Sequence, residues 1–430
     1  MTKIYIKTFG CAVNRSDSEV MAGVLVKAGY NVVDDVNDMN RIDNADIVIV
    51  NTCIVKGPSE RNVLKFIKKG DELGKKVIVS GCITKTNPKE LLQYSLVSPK
   101  NVSQIDSVVE ESVKGNIVHL VSDDTNPRLN LPKVRKNKII EIIPICAGCL
   151  GACAYCIVKK ARGGLVSYSP DAIIEQAMSA VKSGVKEIWI TAQDTGAYGY
   201  DIGTNVCELL LEIVKIKGDF KVRLGMINPN HALAFVDDLI SVFKSDKMFK
   251  FIHLPVQSGN NKVLSNMNRK YSVEDFKLVI EKLRKEIPDI TISTDIICGF
   301  PGESSSHFND TIELIKWLKP CVLNISKFWS RKGTSAHQME NKVDGIQIKQ
   351  RSHQLAEVFK EVGSKVNETW MNWTGDILID EIGKDNSFVG RNYSYRPIII
   401  KGDYKVGDVV KVKINDITWF DLRGIKFTKE

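Results

Sequence analysis

The stretch Cys149-Leu-Gly-Ala-Cys153-Ala-Tyr-Cys156 places three thiols together at one point of the chain. It follows an apolar run and precedes a helical pattern, so the three thiolates are predicted to project from one loop. A cubane iron–sulfur cluster held by three cysteines has one iron without a protein ligand. Structural zinc normally needs four ligands, and Cys146 offers a fourth, so zinc is the alternative. The x3-then-x2 spacing is unlike paired CxxC motifs and favours the cluster.

The apolar run before these cysteines is the first of six strand-then-helix units. Each strand except the last is followed by a stretch of helical period, for example Pro170–Lys182 and Val273–Lys285. Six such units predict an incomplete β/α barrel with its active site at the carboxyl ends of the strands. An open doubly wound sheet is the competing arrangement. The six predicted strands are Ile139–Ile145, Glu187–Ala192, Lys221–Met226, Phe249–Leu254, Asp289–Ile297 and Val322–Phe328.

Residues 1–125 alternate short apolar strands with helical patterns, which predicts a parallel sheet with helices on its faces. In such sheets ligands collect beyond the carboxyl ends of the strands. Three cysteines distant in sequence follow three of the strands, so we expect them to converge on one edge as a shared metal or cluster site. Separate buried thiols are the alternative. The strands are Lys3–Thr8, Asp46–Asn51 and Lys76–Ser80, the helices lie near Ser16–Ala28 and Ser59–Leu73, and the cysteines are Cys11, Cys53 and Cys82.

Two further segments complete the chain. Residues 126–138 contain proline and are strongly basic, which indicates a linker that either touches a phosphate backbone or is a solvated connector. After a helical stretch, roughly residues 345–367, the period shifts to two. Turn sequences between the short apolar runs predict a small antiparallel β-barrel. Its strands include Asp376–Asp380, Pro397–Ile400 and Val409–Ile414.

Length and composition fit a cytoplasmic protein of more than one domain. At 430 residues the chain exceeds what one hydrophobic core usually supports. It has no apolar run of about eighteen residues and no secretory signal, so no membrane association is expected. Ten cysteines in such a chain indicate metal or redox chemistry rather than a disulfide framework. The net charge of +9 is compatible with an anionic partner and does not establish one.

The central cysteine stretch, with a tyrosine before its last cysteine, resembles the signature of the radical S-adenosylmethionine (SAM) enzymes. The resemblance then widens to almost the whole chain. The N-terminal region is similar to that of the methylthiotransferases, and the C-terminal β segment resembles their RNA-binding TRAM domain. The stretches that carry the resemblance are Gly10–Glu19, Asn51-Thr52-Cys53, Gly81-Cys82, His253–Asn260, Met267-Asn-Arg269-Lys-Tyr271, Thr294–Glu303 and Phe328–Thr334.

This resemblance implies two [4Fe-4S] clusters and SAM as cofactors. The catalytic cluster is implied on Cys149, Cys153 and Cys156, with its open iron for SAM, and the second cluster on Cys11, Cys53 and Cys82. The implied SAM contacts are Tyr155, Gln193, Asp194, Arg223, Gln257, Gly299 and Glu303. Alternatives remain, namely a structural ion pair for Arg223 and a plain turn for Gly299-Phe-Pro-Gly302. His253, a lone histidine on an apolar strand, is interpreted as a core residue with its hydrogen bonds satisfied.

Within the family, the stretch from Cys149 to Gly163 is most similar to the archaeal and eukaryotic subgroup acting on N6-threonylcarbamoyladenosine in tRNA. Ser167-Tyr168 stands where bacterial forms typically have Ser-Arg, which counts against isopentenyladenosine or a ribosomal protein as substrate. The chain ends shortly after the TRAM-like segment without a hydrophobic tail, so a soluble archaeal enzyme is expected. A cation should pair with the substrate carboxylate, and the candidates are Lys159, Lys160, Arg162 and Arg331.

The C-terminal segment interleaves basic and tyrosine residues. Basic side chains attract phosphates, and exposed tyrosines stack on unpaired bases. The alternative is that the tyrosines are core residues and the lysines are solvated edge residues. The resemblance favours RNA binding, and the assigned residues are Arg391, Tyr393, Arg396 and Lys401.

The combined prediction is an α/β protein with an N-terminal doubly wound parallel sheet (1–125), a basic linker (126–138), a partial (β/α)6 radical SAM barrel (139–370) and a TRAM barrel (371–430). The expected reaction is methylthiolation of N6-threonylcarbamoyladenosine at position 37, in the anticodon stem-loop of tRNA. It needs an electron donor protein, while no obligate protein partner is inferred. The alternatives are the same chemistry on isopentenyladenosine tRNA or another substrate, and a non-catalytic iron–sulfur protein that binds RNA.

Overall fold

The computed structural model describes residues 1–33, 42–54, 57–122 and 128–427. The first two residues of the predicted linker, Asn126 and Pro127, lie outside the described residues, as do the ends of the predicted N-terminal and C-terminal domains. Among the described helices, none combines the length and the apolar composition that a bilayer crossing requires.

The N-terminal region is a six-stranded, all-parallel sheet with the order β2-β1-β3-β4-β5-β6. Its central strand β3 is buried along its whole length, as expected where helices cover both faces. Apolar residues of α1 and α4 form one core with one face of the sheet, and those of α2 form a second core with the other face. The doubly wound prediction is therefore confirmed. The elements are β1 Lys3–Thr8, α1 Ala12–Lys27, β2 Asn31–Val33, β3 Ile47–Thr52, α2 Gly57–Glu72, β4 Lys76–Gly81, α3 Ile83–Thr86, β5 Ser95–Val97, α4 Ile105–Val113 and β6 His119–Leu120.

Six parallel strands form the central region as two three-stranded sheets, β11-β10-β7 and β12-β13-β14. Isolated parallel bridges, including Val222 with Met248 and Met226 with His253, join the two sheets. The elements are β7 Ile140–Pro144, β8 Cys146–Ala147, α5 Val158–Arg162, β9 Val166–Ser167, α6 Pro170–Lys182, β10 Glu187–Thr191, α7 Val206–Lys215, β11 Lys221–Leu224, α8 Pro229–Ala234, α9 Val236–Phe243, β12 Phe251–His253, α10 Asn261–Asn266, α11 Val273–Glu286, β13 Thr291–Cys298, α12 Ser305–Leu318, β14 Val322–Lys327, α13 Ser335–Gln338 and α14 Gly345–Glu368.

The helices of this region lie on one side of the strands. Ile188, Val222 and Ile252 point into a single large core shared with the outer helices. The residues that alternate with them, such as Trp189 and Phe251, face the opposite side and belong to a separate cluster. Helices on one side only define a partial barrel with an interior, because an open doubly wound sheet would be covered on both sides. The barrel prediction is confirmed.

The C-terminal region is a closed five-stranded barrel with the order β15-β16-β17-β19-β18. Alternating apolar residues, among them Ile377, Ile398 and Val412, fill its interior. Tyr395, between β16 and β17, packs its ring 4.7 Å from Phe249 and 5.3 Å from Phe251, centroid to centroid. This contact docks the small barrel against the amino ends of the central strands. The strands are β15 Thr374–Ile382, β16 Ser387–Arg391, β17 Pro397–Lys401, β18 Val409–Ile417 and β19 Leu422–Lys426.

The described part of the linker packs between the N-terminal sheet and the central barrel. Arg128 pairs with Asp17 at 3.0 Å, and Lys133 pairs with Glu19 at 3.2 Å and Glu141 at 2.7 Å, all with buried side chains. Leu129 belongs to the core of the central barrel. The described part of the linker is therefore not a solvated connector. Arg128 and Lys133 pair with carboxylates and are not free to bind phosphates.

Candidate functional site

The three N-terminal cysteines meet at one edge of the sheet, after the neighbouring strands β1, β3 and β4. Gly10 has φ +117°, and a Cβ built on it would lie 3.1 Å from Cys53 Sγ, so the two loops are in close contact. Cys11 Sγ donates to Asn14 Oδ1 at 3.4 Å, and Asn14 Nδ2 donates to the Thr52 carbonyl at 2.8 Å. The side chain of Asn14 therefore ties the first cysteine loop to the second.

Arg162 places a buried positive charge beside this triad. Its side chain is 3% exposed, and Nη2 donates to Asn14 Oδ1 and Asp17 Oδ2, both at 3.0 Å. Burial raises the pKa of Cys82, and the Arg162 cation opposes that rise. A cation next to thiols in a polar cradle suits an anionic thiolate-bound cluster, so these residues fit the cofactor implied for them.

The central triad lies on the loop between β8 and α5. The Gly151 N–H donates to Cys149 Sγ at 3.3 Å. A Cβ built on Gly151 would lie 3.4 Å from Cys149 Sγ and 3.7 Å from Cys153 Sγ, so both sulfurs lie beside the backbone of Gly151. Cys156 immediately precedes the first turn of α5, whose backbone N–H groups lower the pKa of its thiol against the rise caused by burial. Burial also raises the pKa of Cys149 to about 11.

The donor chemistry of this loop suits a cubane better than zinc. No three His, Cys, Asp or Glu side chains within the described ranges are arranged to hold a single metal ion, so Cys146 does not complete a compact tetrahedral set. A cubane is different, because its cysteines bind separate irons and need not converge on one point. The three thiols and the backbone donor of Gly151 fit that requirement.

Arg269 was missed as a functional residue by the sequence analysis. Its Nη1 donates to Cys153 Sγ at 3.1 Å, the only arginine among the described residues with a hydrogen bond to a central cysteine sulfur. The sequence signal was its place in the stretch Met267–Tyr271, which carried the family resemblance but suggested no role for the arginine.

The residues after β10 form a hydrogen-bonded hub. Asp194 is buried and accepts hydrogen bonds from the backbone N–H groups of Gly196 and Asn228 at 3.1 Å each. His231 Nδ1 lies 3.0 Å from Asp194 Oδ2 without hydrogen-bond geometry. Gln193 Oε1 is buried and has no hydrogen-bond partner among the described residues. An unpaired buried acceptor is costly, so Gln193 is the member of this pair with an atom available to a ligand.

The loop after β13 is closed by its own acidic residue. Glu303 accepts the backbone N–H of Gly299 and Arg351 Nη1, each at 2.7 Å. Gly299 has φ +79°, and a Cβ there would lie 2.3 Å from Ile348, so the loop requires glycine. These contacts give both predicted residues a clear structural part in shaping the loop.

The remaining predicted SAM contacts lie at different levels of the barrel. Gln257 has a left-handed backbone, φ +72°, which is strained for a residue other than glycine. The Tyr155 ring packs edge-on against Phe300, with centroids 6.4 Å apart. The Arg223 guanidinium lies toward the amino ends of the strands, about 5 Å from the ring centroids of Trp189, Phe251 and Tyr395. Arg223 is thus brought to the junction with the C-terminal barrel and away from the loops at the carboxyl ends.

His253 has the partner expected of a satisfied histidine but lies on the interior face rather than in the hydrophobic core. Its Nε2 is 2.9 Å from Asp295 Oδ1, which also accepts from Asn324 Nδ2 at 2.8 Å. The three side chains make a partly exposed polar patch inside the barrel.

The predicted RNA contacts divide into two arginines with structural partners, of which only Arg396 is fully buried, and two exposed residues. Arg391 pairs with Asp380 at 2.9 Å, and Arg396, 3% exposed, donates to Asn367. Both arginines have structural partners within the domain junction. Tyr393 is 36% exposed and donates its hydroxyl to Asp289. Lys401, at the end of β17, is also exposed.

Arg331 lies between the two cysteine triads. Its side chain is 10% exposed, and Nη1 lies 3.4 Å from Glu60 Oε2. Burial lowers its pKa, which Glu60 and the thiols of Cys53 and Cys156 oppose by charge interaction. Its Nη2 is buried with no hydrogen-bond partner among the described residues. Of the four cation candidates, Arg162 and Arg331 each have one buried nitrogen without a hydrogen-bond partner among the described residues, Nη1 and Nη2 respectively. Arg162 is already paired with Asp17 at 3.0 Å, whereas the Glu60 contact of Arg331 is longer, at 3.4 Å.

Comparison with known proteins defines the class first. A model described as the radical SAM superfamily matches residues 143–315, the uncharacterized protein family UPF0004 matches 3–98, and the TRAM domain matches 374–427. The fold is also similar to that of the radical SAM methyltransferase TsrM from Kitasatospora setae, with a TM-score of 0.56 at 15% identity over 76% of this chain and 73% of that one. The protein is a radical SAM enzyme, a class that uses SAM and a [4Fe-4S] cluster.

Curated relatives then define the family. A protein of Pyrococcus abyssi named probable threonylcarbamoyladenosine tRNA methylthiotransferase is 39% identical over 95% of this chain and 97% of its own length. The human threonylcarbamoyladenosine tRNA methylthiotransferase is 38% identical over 98% of this chain and 73% of its own length. This chain belongs to the threonylcarbamoyladenosine tRNA methylthiotransferase family.

Proposed function

We propose that this enzyme converts N6-threonylcarbamoyladenosine at position 37 of tRNA to its 2-methylthio derivative. The observation that carries the proposal is the presence of two separate cysteine triads, one at the edge of the N-terminal sheet and one on the loop before α5. The charge of Arg331 acts on Cys53 of the first triad and on Cys156 of the second. Two triads suit a reaction that needs one centre for radical generation and another for sulfur. The substrate follows from the names of the relatives.

The two triads take different parts in this proposal. Cys149, Cys153 and Cys156 would hold the [4Fe-4S] cluster, which when bound supplies the electron for reductive cleavage of SAM. Cys11, Cys53 and Cys82 would hold a second [4Fe-4S] cluster, the proposed source of sulfur. A reductant protein supplies electrons, and a cytoplasmic location stays a prediction.

The protein's own residues bind and orient SAM in this proposal. Gln193, with its unpaired buried oxygen, and the strained Gln257 are the proposed polar contacts to SAM. Asp194 and Glu303 hold the loops on which those contacts depend, and Gly299 gives the backbone room. For Tyr155 a direct SAM contact is proposed from the family resemblance alone. The position of Arg223 beside Trp189, Phe251 and Tyr395 favours its structural alternative instead.

We propose that the anticodon stem-loop enters between the N-terminal sheet and the central barrel. Trp329 is 49% exposed there, with the Arg61 guanidinium 5.7 Å from its ring. Two lysines lie beside neighbouring loops. Lys160 Nζ is 3.5 Å from a Cβ built on Gly333, and Lys100 Nζ is 3.3 Å from a Cβ built on Gly163. An exposed aromatic ring among cations is suited to unpaired bases and their phosphates.

In the C-terminal barrel, Lys401→Ala should weaken tRNA binding, most strongly at low salt. Because Lys401 is exposed, loss of one phosphate contact should lower the slope of log affinity against log salt by about 0.7–0.9. Filter binding across a salt series measures this. Lys316→Ala, an exposed lysine paired with Glu313 on α12, is the matched control. An unchanged slope in Lys401→Ala would remove Lys401 from the RNA surface.

The substrate itself provides the direct test of the proposed function. Anaerobic enzyme with SAM and reductant should methylthiolate tRNA bearing threonylcarbamoyladenosine at least about 100-fold faster, in kcat/KM, than bare tRNA. We propose that Nη2 of Arg331, which the contact with Glu60 leaves unpaired, binds the threonyl carboxylate. A buried charged donor left without its acceptor costs about 3 kcal/mol. Nucleoside mass spectrometry measures the product.

Matched transcripts bearing isopentenyladenosine are the control for a merely larger base. Equal turnover of that tRNA would contradict the subgroup assignment and leave the methylthiotransferase chemistry intact. No methylthio product from any of the three transcripts would contradict the proposed function.

A further inference from the structure

All three guanidinium nitrogens of Arg269 donate hydrogen bonds around the central cysteine loop. Nε donates to Tyr271 Oη at 3.0 Å, Nη1 donates to Cys153 Sγ at 3.1 Å, and Nη2 donates to Asn228 Oδ1. The planar guanidinium has its donors in a fixed fork, so three simultaneous partners leave it one orientation. The donor at Cys153 Sγ is therefore positioned before any cofactor arrives.

The two partners that flank the sulfur are themselves fixed. Asn228 Nδ2 donates to Asp194 Oδ2 at 2.5 Å, and Tyr271 Oη donates to the Val256 carbonyl at 2.8 Å. Each anchor comes from a different loop at the carboxyl ends of the strands. Arg269 thus connects the cysteine loop to the hub after β10 and to the loop after β12.

The segment around Arg269 also holds the cysteine loop through backbone contacts. The Ala154 N–H donates to the Met267 carbonyl at 2.9 Å, and Asn268 Nδ2 donates to the Ala152 carbonyl at 2.7 Å. These bonds lie on either side of Cys153 in the chain. The hydrogen bond to its sulfur is one part of a docked interface rather than an isolated side-chain contact.

Hydrogen bonds to cysteine sulfur and nearby charge are among the factors that set the reduction potential of an iron–sulfur cluster. Reduction adds negative charge, so a cation that donates to a ligand sulfur stabilises the reduced form more than the oxidised one. We propose that Arg269 is a positioning residue that raises the reduction potential of the cluster held by the central triad, acting through Cys153. This inference rests on the proposed assignment of that triad to the [4Fe-4S] cluster.

The N-terminal triad has a different cation. Arg162 donates to Asn14 and Asp17 beside Cys11 and Cys82, whereas the partners of Arg269 are Tyr271, Cys153 and Asn228. A substitution at Arg269 should therefore change the potential of one cluster and leave the other unchanged.

The test is a redox titration followed by electron paramagnetic resonance in two backgrounds, each retaining one triad. With Cys11, Cys53 and Cys82 replaced by alanine, adding Arg269→Met should lower the ratio of reduced to oxidised central cluster at a given potential at least tenfold, about 59 mV for a one-electron couple. Arg269→Lys keeps the charge but loses the planar fork of donors. Its central cluster should have a reduction potential between those of the parent and of Arg269→Met. With Cys149, Cys153 and Cys156 replaced instead, Arg269→Met should leave the remaining cluster unshifted.

Two further variants separate this role from a structural one. Lys270→Met removes an exposed positive charge next in the chain and should shift neither cluster. Tyr271→Phe removes one anchor of Arg269 and should lower the central potential by less than Arg269→Met does. A wild-type potential in iron-loaded Arg269→Met would overturn the inference. So would loss of central iron from the Met, Lys and Phe variants alike, since that would make Arg269 purely structural.

The outcome is independent of tRNA. Failure to form methylthiolated product would contradict the proposed function, while a selective shift of the central potential would still support the role of Arg269.

Discussion

Replacing Cys149, Cys153 and Cys156 together by alanine should abolish reductive SAM cleavage and remove about half of the iron from the anaerobic protein. Two cubane clusters hold about eight irons, and the variant should keep about four. The structure gives the physical reason: the three thiols share one loop, where a Cβ on Gly151 would approach both Cys149 Sγ and Cys153 Sγ. Iron analysis and chromatography of the SAM cleavage product, 5′-deoxyadenosine, measure the two effects.

Cys207→Ala is the control for loss of a thiol, because Cys207 also belongs to the central domain but is buried in its hydrophobic core, away from the cysteine loop. It should keep full iron content and SAM cleavage. A wild-type preparation with one zinc and no iron would contradict the cluster assignment, and Cys146→Ala should then release that zinc.

Replacing Cys11, Cys53 and Cys82 together should end formation of methylthiolated tRNA while reductive SAM cleavage continues. The two functions separate because the triads lie on different domains with their own cations, Arg162 beside one and Arg269 beside the other. Product loss should reach the detection limit of nucleoside mass spectrometry, and the variant should again hold about four irons.

Cys321→Ala controls for the loss of a thiol outside both triads, and it should retain methylthiolation. If the triple variant still produced methylthiolated tRNA, the sulfur would come from elsewhere and the N-terminal triad would have no part in the chemistry. If it also lost SAM cleavage with its central iron intact, the two centres would not be functionally separate.

The strand ends carrying the cysteines were predictable, because parallel strands align their carboxyl ends at one edge. Cys11, Cys53 and Cys82 follow β1, β3 and β4, and a local apolar pattern was enough to bring them together. The partial barrel was predictable for the same reason, since its strands and helices have distinct periods.

The C-terminal barrel shows where local pattern was insufficient. Alternation predicted its strands, but Arg391 and Arg396 were predicted to contact RNA and instead pair with Asp380 and Asn367. Arg396 is buried and Arg391 half-buried where the small barrel docks through Tyr395, a contact between segments distant in sequence. A basic residue on a strand fits the same alternation of apolar and polar residues whether its side chain faces RNA or a neighbouring domain.

Residue spacing within short segments was enough to predict the two cysteine triads, the three regions and the family resemblance. The charges that lie beside the triads depend on the tertiary fold. Arg269 and Cys153 are 116 residues apart, Arg162 and Asp17 are 145 apart, and Arg331 and Glu60 are 271 apart. Such pairs form when separately folded segments pack together, and their geometry depends on packing that no local period encodes.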